Sequence, residues 1–189
     1  MFRSIPNLLT AVRLLLVPLI AIAIWQHQAV RALVIVFAAG ITDGFDGWLA
    51  RRYGWTTRTG AYLDPVADKA LLVTVYLLLS LTGKIPLWLT AIVLGRDVFI
   101  LSMVAAGLAL TSVRAFPPSL WGKISTVVQV AAAVGFLANA AQVPLVTGSM
   151  VELFVFATAV ATLWSGFDYG RRGFLTLRRL RIDAGQQRR

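Results

Sequence analysis

From Asp43 to Lys69 the chain reads "DGFDGWLARRYGWTTRTGAYLDPVADK", and this stretch holds Asp43, Asp46, Asp64 and Asp68, four of its eight acidic residues. On both sides the sequence is almost wholly apolar: "LVIVFAAGI" leads in and "ALLVTVYLLLSL" leads out. A polar junction between two long apolar runs is the pattern of helices that cross a membrane and turn at its surface. Composition agrees over the whole chain. Of 189 residues, 58% are hydrophobic and only 14% charged, against about 25% charged in ordinary soluble domains.

Working outward from the junction, six spans can be drawn, at about 8–27, 30–52, 60–81, 86–109, 120–143 and 149–169, each near the ~20 residues a bilayer requires. The expected fold is all-α: a polytopic membrane protein with six transmembrane helices and a short N-terminal interfacial segment, "MFRSIPN". A membrane domain at 1–170 is followed by a basic cytoplasmic tail at 171–189. The first apolar run is too long for a cleavable signal and lacks a small-residue cleavage site. With no Cys there is neither a disulfide framework nor a thiolate metal site. The single His27 cannot form a histidine metal centre and is expected at a solvated helix end.

The net charge of +10 is distributed as a topology signal rather than as a nucleic-acid surface. Arg3, Arg51, Arg52, Arg58, Arg114 and seven tail arginines fall on the side shared by both termini, while Arg31 and Lys84 fall on the other. Lys and Arg accumulate on the cytoplasmic side, so both termini are expected in the cytoplasm, with the tail against anionic headgroups. Arg13, Lys69, Arg96 and Lys123 fall within spans. Charge there is costly and ordinarily faces a polar cavity.

In a helix, Asp43 and Asp46 lie about 60° apart and Asp64 and Asp68 about 40° apart, so each pair shares a face. The short turn between spans two and three predicts antiparallel neighbours, whose acidic faces then meet at the cytoplasmic boundary. Four facing carboxylates repel one another and lose solvation. Divalent cations relieve both costs, and an oxygen-only donor set points to Mg²⁺ or Mn²⁺, with room for two metals. The plain alternative is a solvated network with Arg51, Arg52, Arg58 and Lys69. That explains one Asp readily but does not require four on matching faces. The small residues Gly47, Ala50 and Gly60 permit close helix packing and equally let a diphosphate approach the backbone.

The stretch resembles the CDP-alcohol phosphotransferase family, whose pattern is D-x2-D-G-x2-A-R-x8-G-x3-D-x3-D. Asp43, Asp46, Gly47, Ala50, Arg51, Gly60, Asp64 and Asp68 match every fixed position, an agreement expected by chance about once in 10¹⁰ start points at average residue usage. The likeness runs the length of the chain and includes "IPNLLTAVR". It implies an enzyme that transfers a substituted phosphate from a CDP-linked donor to an alcohol and releases CMP. Carried over, Asp43, Asp46, Asp64 and Asp68 bind two metals, and Asp68 is also the catalytic base. Gly47, Arg51, Thr57 and Asn7 hold the donor, expected to be CDP-diacylglycerol. The family also implies a homodimer, here in a bacterial inner (cell) membrane with a cytoplasmic active site.

For the acceptor, "GRDV" at 95–98 and "WGKISTVVQ" at 121–129 bring the intramembrane cations Arg96 and Lys123, with Arg171 after the last span. They are read as an acceptor-phosphate clamp; the alternative is interhelical ion pairing, such as Arg96 with Asp168. Asp97, adjacent to Arg96, is expected to point away from it. These segments look closer to family members whose acceptor is phosphatidylglycerol, the CMP-forming cardiolipin synthases, than to those that use glycerol 3-phosphate. A reading from another class, a transporter using the intramembrane charges, lacks an inverted repeat.

Overall fold

The structure, a computed structural model, describes residues 5–53, 58–110 and 119–186. Among the described residues it consists of six α-helices and no strands: α1 (Ile5–Trp25), α2 (Ala29–Tyr53), α3 (Arg58–Leu81), α4 (Leu87–Leu110), α5 (Leu120–Ala140) and α6 (Gly148–Gln186). The first five coincide closely with the expected spans, whereas α6 runs on well past the expected end of the sixth at 169. Three have segments long and apolar enough to cross a membrane: Leu87–Gly107, Leu120–Ala140 and Gly148–Leu175. Shorter apolar segments, Ala11–Trp25 and Ala29–Thr42, belong to α1 and α2. Leu15, Val34, Leu101, Val127 and Phe156 are among the large apolar side chains on the outer surface. That inverts the arrangement of a water-soluble bundle and suits contact with lipid. The protein is an integral membrane protein.

Helix ends follow local chemistry. Ser119 caps α5, its side chain accepting from the Gly122 N–H at 2.9 Å. Gly83 leaves α3 with φ +71°, the left-handed geometry that glycine adopts without strain. His27, as expected, is exposed in the α1–α2 turn. α6 is continuous across residues 170 and 171. Its 39 residues give about 58 Å of helix, far longer than the ~30 Å hydrocarbon core.

The core lies in the half of the bundle away from the acidic junction. Ile20, Ile24, Leu72, Tyr76, Leu79, Leu89, Val93, Phe136 and Leu137 are fully or nearly buried there. Tyr76 and Phe154 each meet Phe136 edge-on, with ring centroids 6.2 Å apart. Polar ties add direction to this packing. Thr90 Oγ1 donates to the Tyr76 carbonyl at 3.1 Å, Tyr76 Oη to the Gln129 carbonyl at 3.0 Å, and Gln129 Nε2 to Thr162 Oγ1 at 2.9 Å. Helices α3 to α6 are thereby joined where apolar lipid offers no competing partners.

One expectation about the bundle is corrected. Among the described residues α2 and α3 do not pack directly on each other; α1 and α5 each pack against both. A short turn brings two helices together only at their joined ends. Along the rest of their length α1 and α5 take the neighbouring places, and a cavity of about 570 Å³ separates α2 from α3.

Candidate active site

That cavity is mostly apolar, walled by Val36, Phe37 and Ile41 of α2, Leu71 and Val75 of α3, and Val130 and Val134 of α5. Among the described residues its charged lining consists of Arg13, Asp68 and Lys69. Arg13 Nη1 donates to Asp68 Oδ1 at 2.7 Å; the Arg13 side chain is 6% exposed and that of Asp68 55%. A nearly buried guanidinium therefore orients a half-open carboxylate at the cavity.

A second cavity, of about 440 Å³, adjoins the first through two shared residues, Lys69 and Thr126. Arg96, Asp97, Gly122, Lys123 and Tyr169 also line it. Arg96 is held from several sides. Its Nε and Nη2 donate to Ser165 Oγ at 3.2 and 2.6 Å, its Nη1 donates to Asp97 Oδ1 at 2.8 Å, and its guanidinium carbon lies 5.8 Å from the centre of the Tyr169 ring. Tyr169 Oη in turn accepts from the Ser119 N–H at 3.0 Å. The second Asp97 oxygen receives the Lys69 ammonium. Both Arg96 and Asp97 have side chains only 9% exposed, whereas Lys123 is exposed at the cavity.

The site residues named from sequence divide accordingly. Asp68, Arg96 and Lys123 line the two adjoining cavities. Asp43, Asp46, Gly47 and Arg51 lie on α2, Asp64 on α3 and Asn7 on α1; their side chains, and the whole of Thr57, lie outside the described residues. The helical backbone keeps 43 with 46, and 64 with 68, on one face each. Arg171 is exposed and is not among the cavity-lining residues.

Two expectations about Arg96 are revised. It does pair with its neighbour Asp97, because a long guanidinium stem curls back across the ~100° between successive side chains. Asp168 pairs instead with Arg172, one turn on, at 3.0 Å. Sequence reading missed Ser165, Tyr169, Gly122 and Thr126 as parts of the site. For the first two a signal exists: Ser165 and Tyr169 are four apart in "WSGFDYG" and share a helix face. Gly122 and Thr126, likewise four apart on α5, also share one.

Gly122 matters through its lack of a side chain. A Cβ there meets Tyr169 Cε2 at 2.9 Å and Arg96 Nη2 at 3.3 Å, so glycine lets the Tyr169 ring and the guanidinium lie against the α5 backbone.

Comparisons with known proteins agree with this architecture. The family model for CDP-alcohol phosphatidyltransferase matches residues 3–164. A Mycobacterium tuberculosis protein named "Probable phosphatidylglycerophosphate synthase" is 36% identical over 187 residues, covering 96% of this chain and 87% of the relative. A Yersinia pestis "CDP-diacylglycerol--glycerol-3-phosphate 3-phosphatidyltransferase" is 38% identical over 175 residues, covering 88% and 92%. One of the same name from Yersinia enterocolitica is 37% identical over equal shares. The transferase reading is therefore retained over the transporter. With its motif, its helical architecture and its relatives in agreement, the chain belongs to the CDP-alcohol phosphatidyltransferase family and is an enzyme of phospholipid biosynthesis.

Proposed function

We propose that the enzyme transfers the phosphatidyl group of CDP-diacylglycerol to glycerol 3-phosphate, making phosphatidylglycerophosphate and CMP. The observation that carries this reading is the 440 Å³ cavity beside Asp68, lined by Lys69, Arg96 and Lys123 with Asp97. Among the described residues its three cations and one carboxylate leave a formal charge of +2. A phosphomonoester, with its second pKa near about 6, is a dianion at neutral pH and complements that charge. The phosphodiester of phosphatidylglycerol carries one negative charge and matches it less well. The names of the relatives favour the same acceptor. The preference for phosphatidylglycerol drawn from "GRDV" and "WGKISTVVQ" is therefore given up: in this reading those segments furnish phosphate-binding cations and do not in themselves separate the two acceptors.

In this reading the apolar 570 Å³ cavity takes the donor's lipid portion, while Gly47, Arg51, Thr57 and Asn7 attend its nucleotide and diphosphate. The donor set fits a hard divalent cation. Asp68 presents a half-exposed carboxylate one turn after Asp64 on α3, Asp43 and Asp46 share one face of α2, no Cys exists, and His27 is at the other end of the bundle. Asp43, Asp46, Asp64 and Asp68 would hold Mg²⁺ or Mn²⁺, which would supply neutralisation of charge on the diphosphate and on departing CMP. Arg96 and Lys123 hold the acceptor's phosphate, with Arg96 offering its planar fork. Asp68 takes the acceptor hydroxyl proton as the oxygen forms its bond to the phosphatidyl phosphorus and the bond to the CMP oxygen breaks. Arg13 keeps the Asp68 carboxylate oriented. Six membrane crossings, a cytoplasmic site, a bacterial inner membrane and a homodimer complete the picture.

The test supplies purified enzyme, CDP-diacylglycerol and Mg²⁺ with glycerol 3-phosphate, phosphatidylglycerol, inositol phosphate or serine in parallel. CMP release and lipid product are expected with glycerol 3-phosphate; product from phosphatidylglycerol alone overturns the assignment.

A further inference from the structure

We propose that Lys69 is an acceptor-binding residue and that Asp97 is the residue that positions it. Among the described residues Lys69 is the one cation that lines both cavities. It follows Asp68 directly on α3, so the two side chains leave the helix about 100° apart. Asp68 lines only the first cavity, whereas Lys69, like Thr126, lines both and so stands at the partition.

Asp97 divides its oxygens between two cations, Oδ1 receiving Arg96 and Oδ2 receiving Lys69. These cations differ in freedom. Arg96 is also tied to Ser165 and lies against Tyr169, with a side chain 9% exposed. The Lys69 side chain is 43% exposed and ends in an ammonium that binds anions without the directional demand of a guanidinium. Arg96 is thus the fixed element of the pocket, and Lys69 is the element that can exchange its counter-ion. The acceptor's phosphate draws the ammonium from Asp97 onto itself. Asp97 then serves as the internal anion that keeps Lys69 aimed into the acceptor cavity and out of the apolar one. A phosphate held at the partition brings the acceptor's hydroxyl to the side where Asp68 lies.

This inference rests on the reading of the 440 Å³ cavity as the acceptor cavity. The experiment uses the full-length enzyme in detergent with CDP-diacylglycerol and glycerol 3-phosphate. Lys69→Gln is expected to raise KM for glycerol 3-phosphate by about 10-fold or more, the scale of one lost hydrogen bond to a charged group, with KM for CDP-diacylglycerol within about twofold. Lys69→Arg restores most of the loss and serves as the decisive variant should Lys69→Gln fail to fold. Asp97→Asn raises the same KM, and adding it to Lys69→Gln raises it by clearly less than the product of the two single effects, because part of its effect acts through Lys69 and the remainder through Arg96. A rise confined to KM for CDP-diacylglycerol, or fully additive effects, overturns the proposal. Calorimetric titration with inorganic phosphate, without donor, separates the two readings. If wild-type enzyme makes no product from glycerol 3-phosphate yet binds phosphate in a Lys69-dependent manner, the acceptor assignment falls and the Lys69 proposal stands. Phosphate binding unchanged in Lys69→Gln overturns it.

Discussion

Arg13 of α1 and Asp68 of α3, 55 residues apart in sequence, are joined at 2.7 Å, with the guanidinium nearly buried and the carboxylate half open. The pairing turns a costly intramembrane arginine into a fixed support for the proposed catalytic base. Arg13→Gln is expected to lower kcat by roughly 10- to 100-fold, the range that follows from small misplacement of a reacting group. KM for the acceptor should stay within a factor of about three. Steady-state kinetics in both substrates checks this; a change confined to acceptor KM would assign Arg13 elsewhere.

Asp68→Asn removes the proton acceptor while keeping the shape. CMP release is expected to fall by about 10²- to 10⁴-fold, the usual contribution of general base catalysis. Full CMP release by this variant would falsify the role.

Chelation with EDTA is expected to abolish CMP release, and added Mg²⁺ or Mn²⁺ to restore it, since the single charge of Arg51 does not replace divalent cations on the diphosphate. Undiminished turnover in EDTA removes the metal from the scheme.

Arg96→Lys retains charge but loses the fork that reaches Ser165 and Asp97 together. Its expected effect is a rise in acceptor KM of about 10-fold, as for a lost charge-assisted contact, with Ser165→Ala producing a smaller rise in the same constant. An unchanged acceptor KM in Arg96→Lys would detach this residue from the pocket.

Two glycines of α5 separate stability from function. At Gly135 a Cβ collides with the Phe154 ring in the core, so Gly135→Ala should destabilise by about 1–3 kcal/mol while leaving acceptor KM alone. Gly122→Ala presses on Tyr169 and Arg96 and should raise acceptor KM as well. Thermal melting in detergent beside kinetics tells the two apart.

What was legible in the sequence is what short-range periodicity and membrane chemistry dictate. The apolar runs foretell six helices because backbone polar groups cannot go unpaired in lipid. The spacing of Asp43 with Asp46 and of Asp64 with Asp68 gives helix faces because 3.6 residues per turn is a property of the backbone alone. The eight-position motif carries the family and its chemistry. Arg96 and Lys123 stand out because charges inside spans are rare.

What only the tertiary structure decided is which of these faces meet. Nothing within α4 tells that Arg96 will rest on Ser165 and Tyr169 of α6, or that Asp97 will hold Lys69 of α3. Nor does a short α2–α3 turn reveal that α1 and α5 flank both helices and leave a cavity between them. Helix formation is local, set by neighbours within about one turn. The choice of helix partner depends on side-chain shape and hydrogen bonding among residues tens of positions apart.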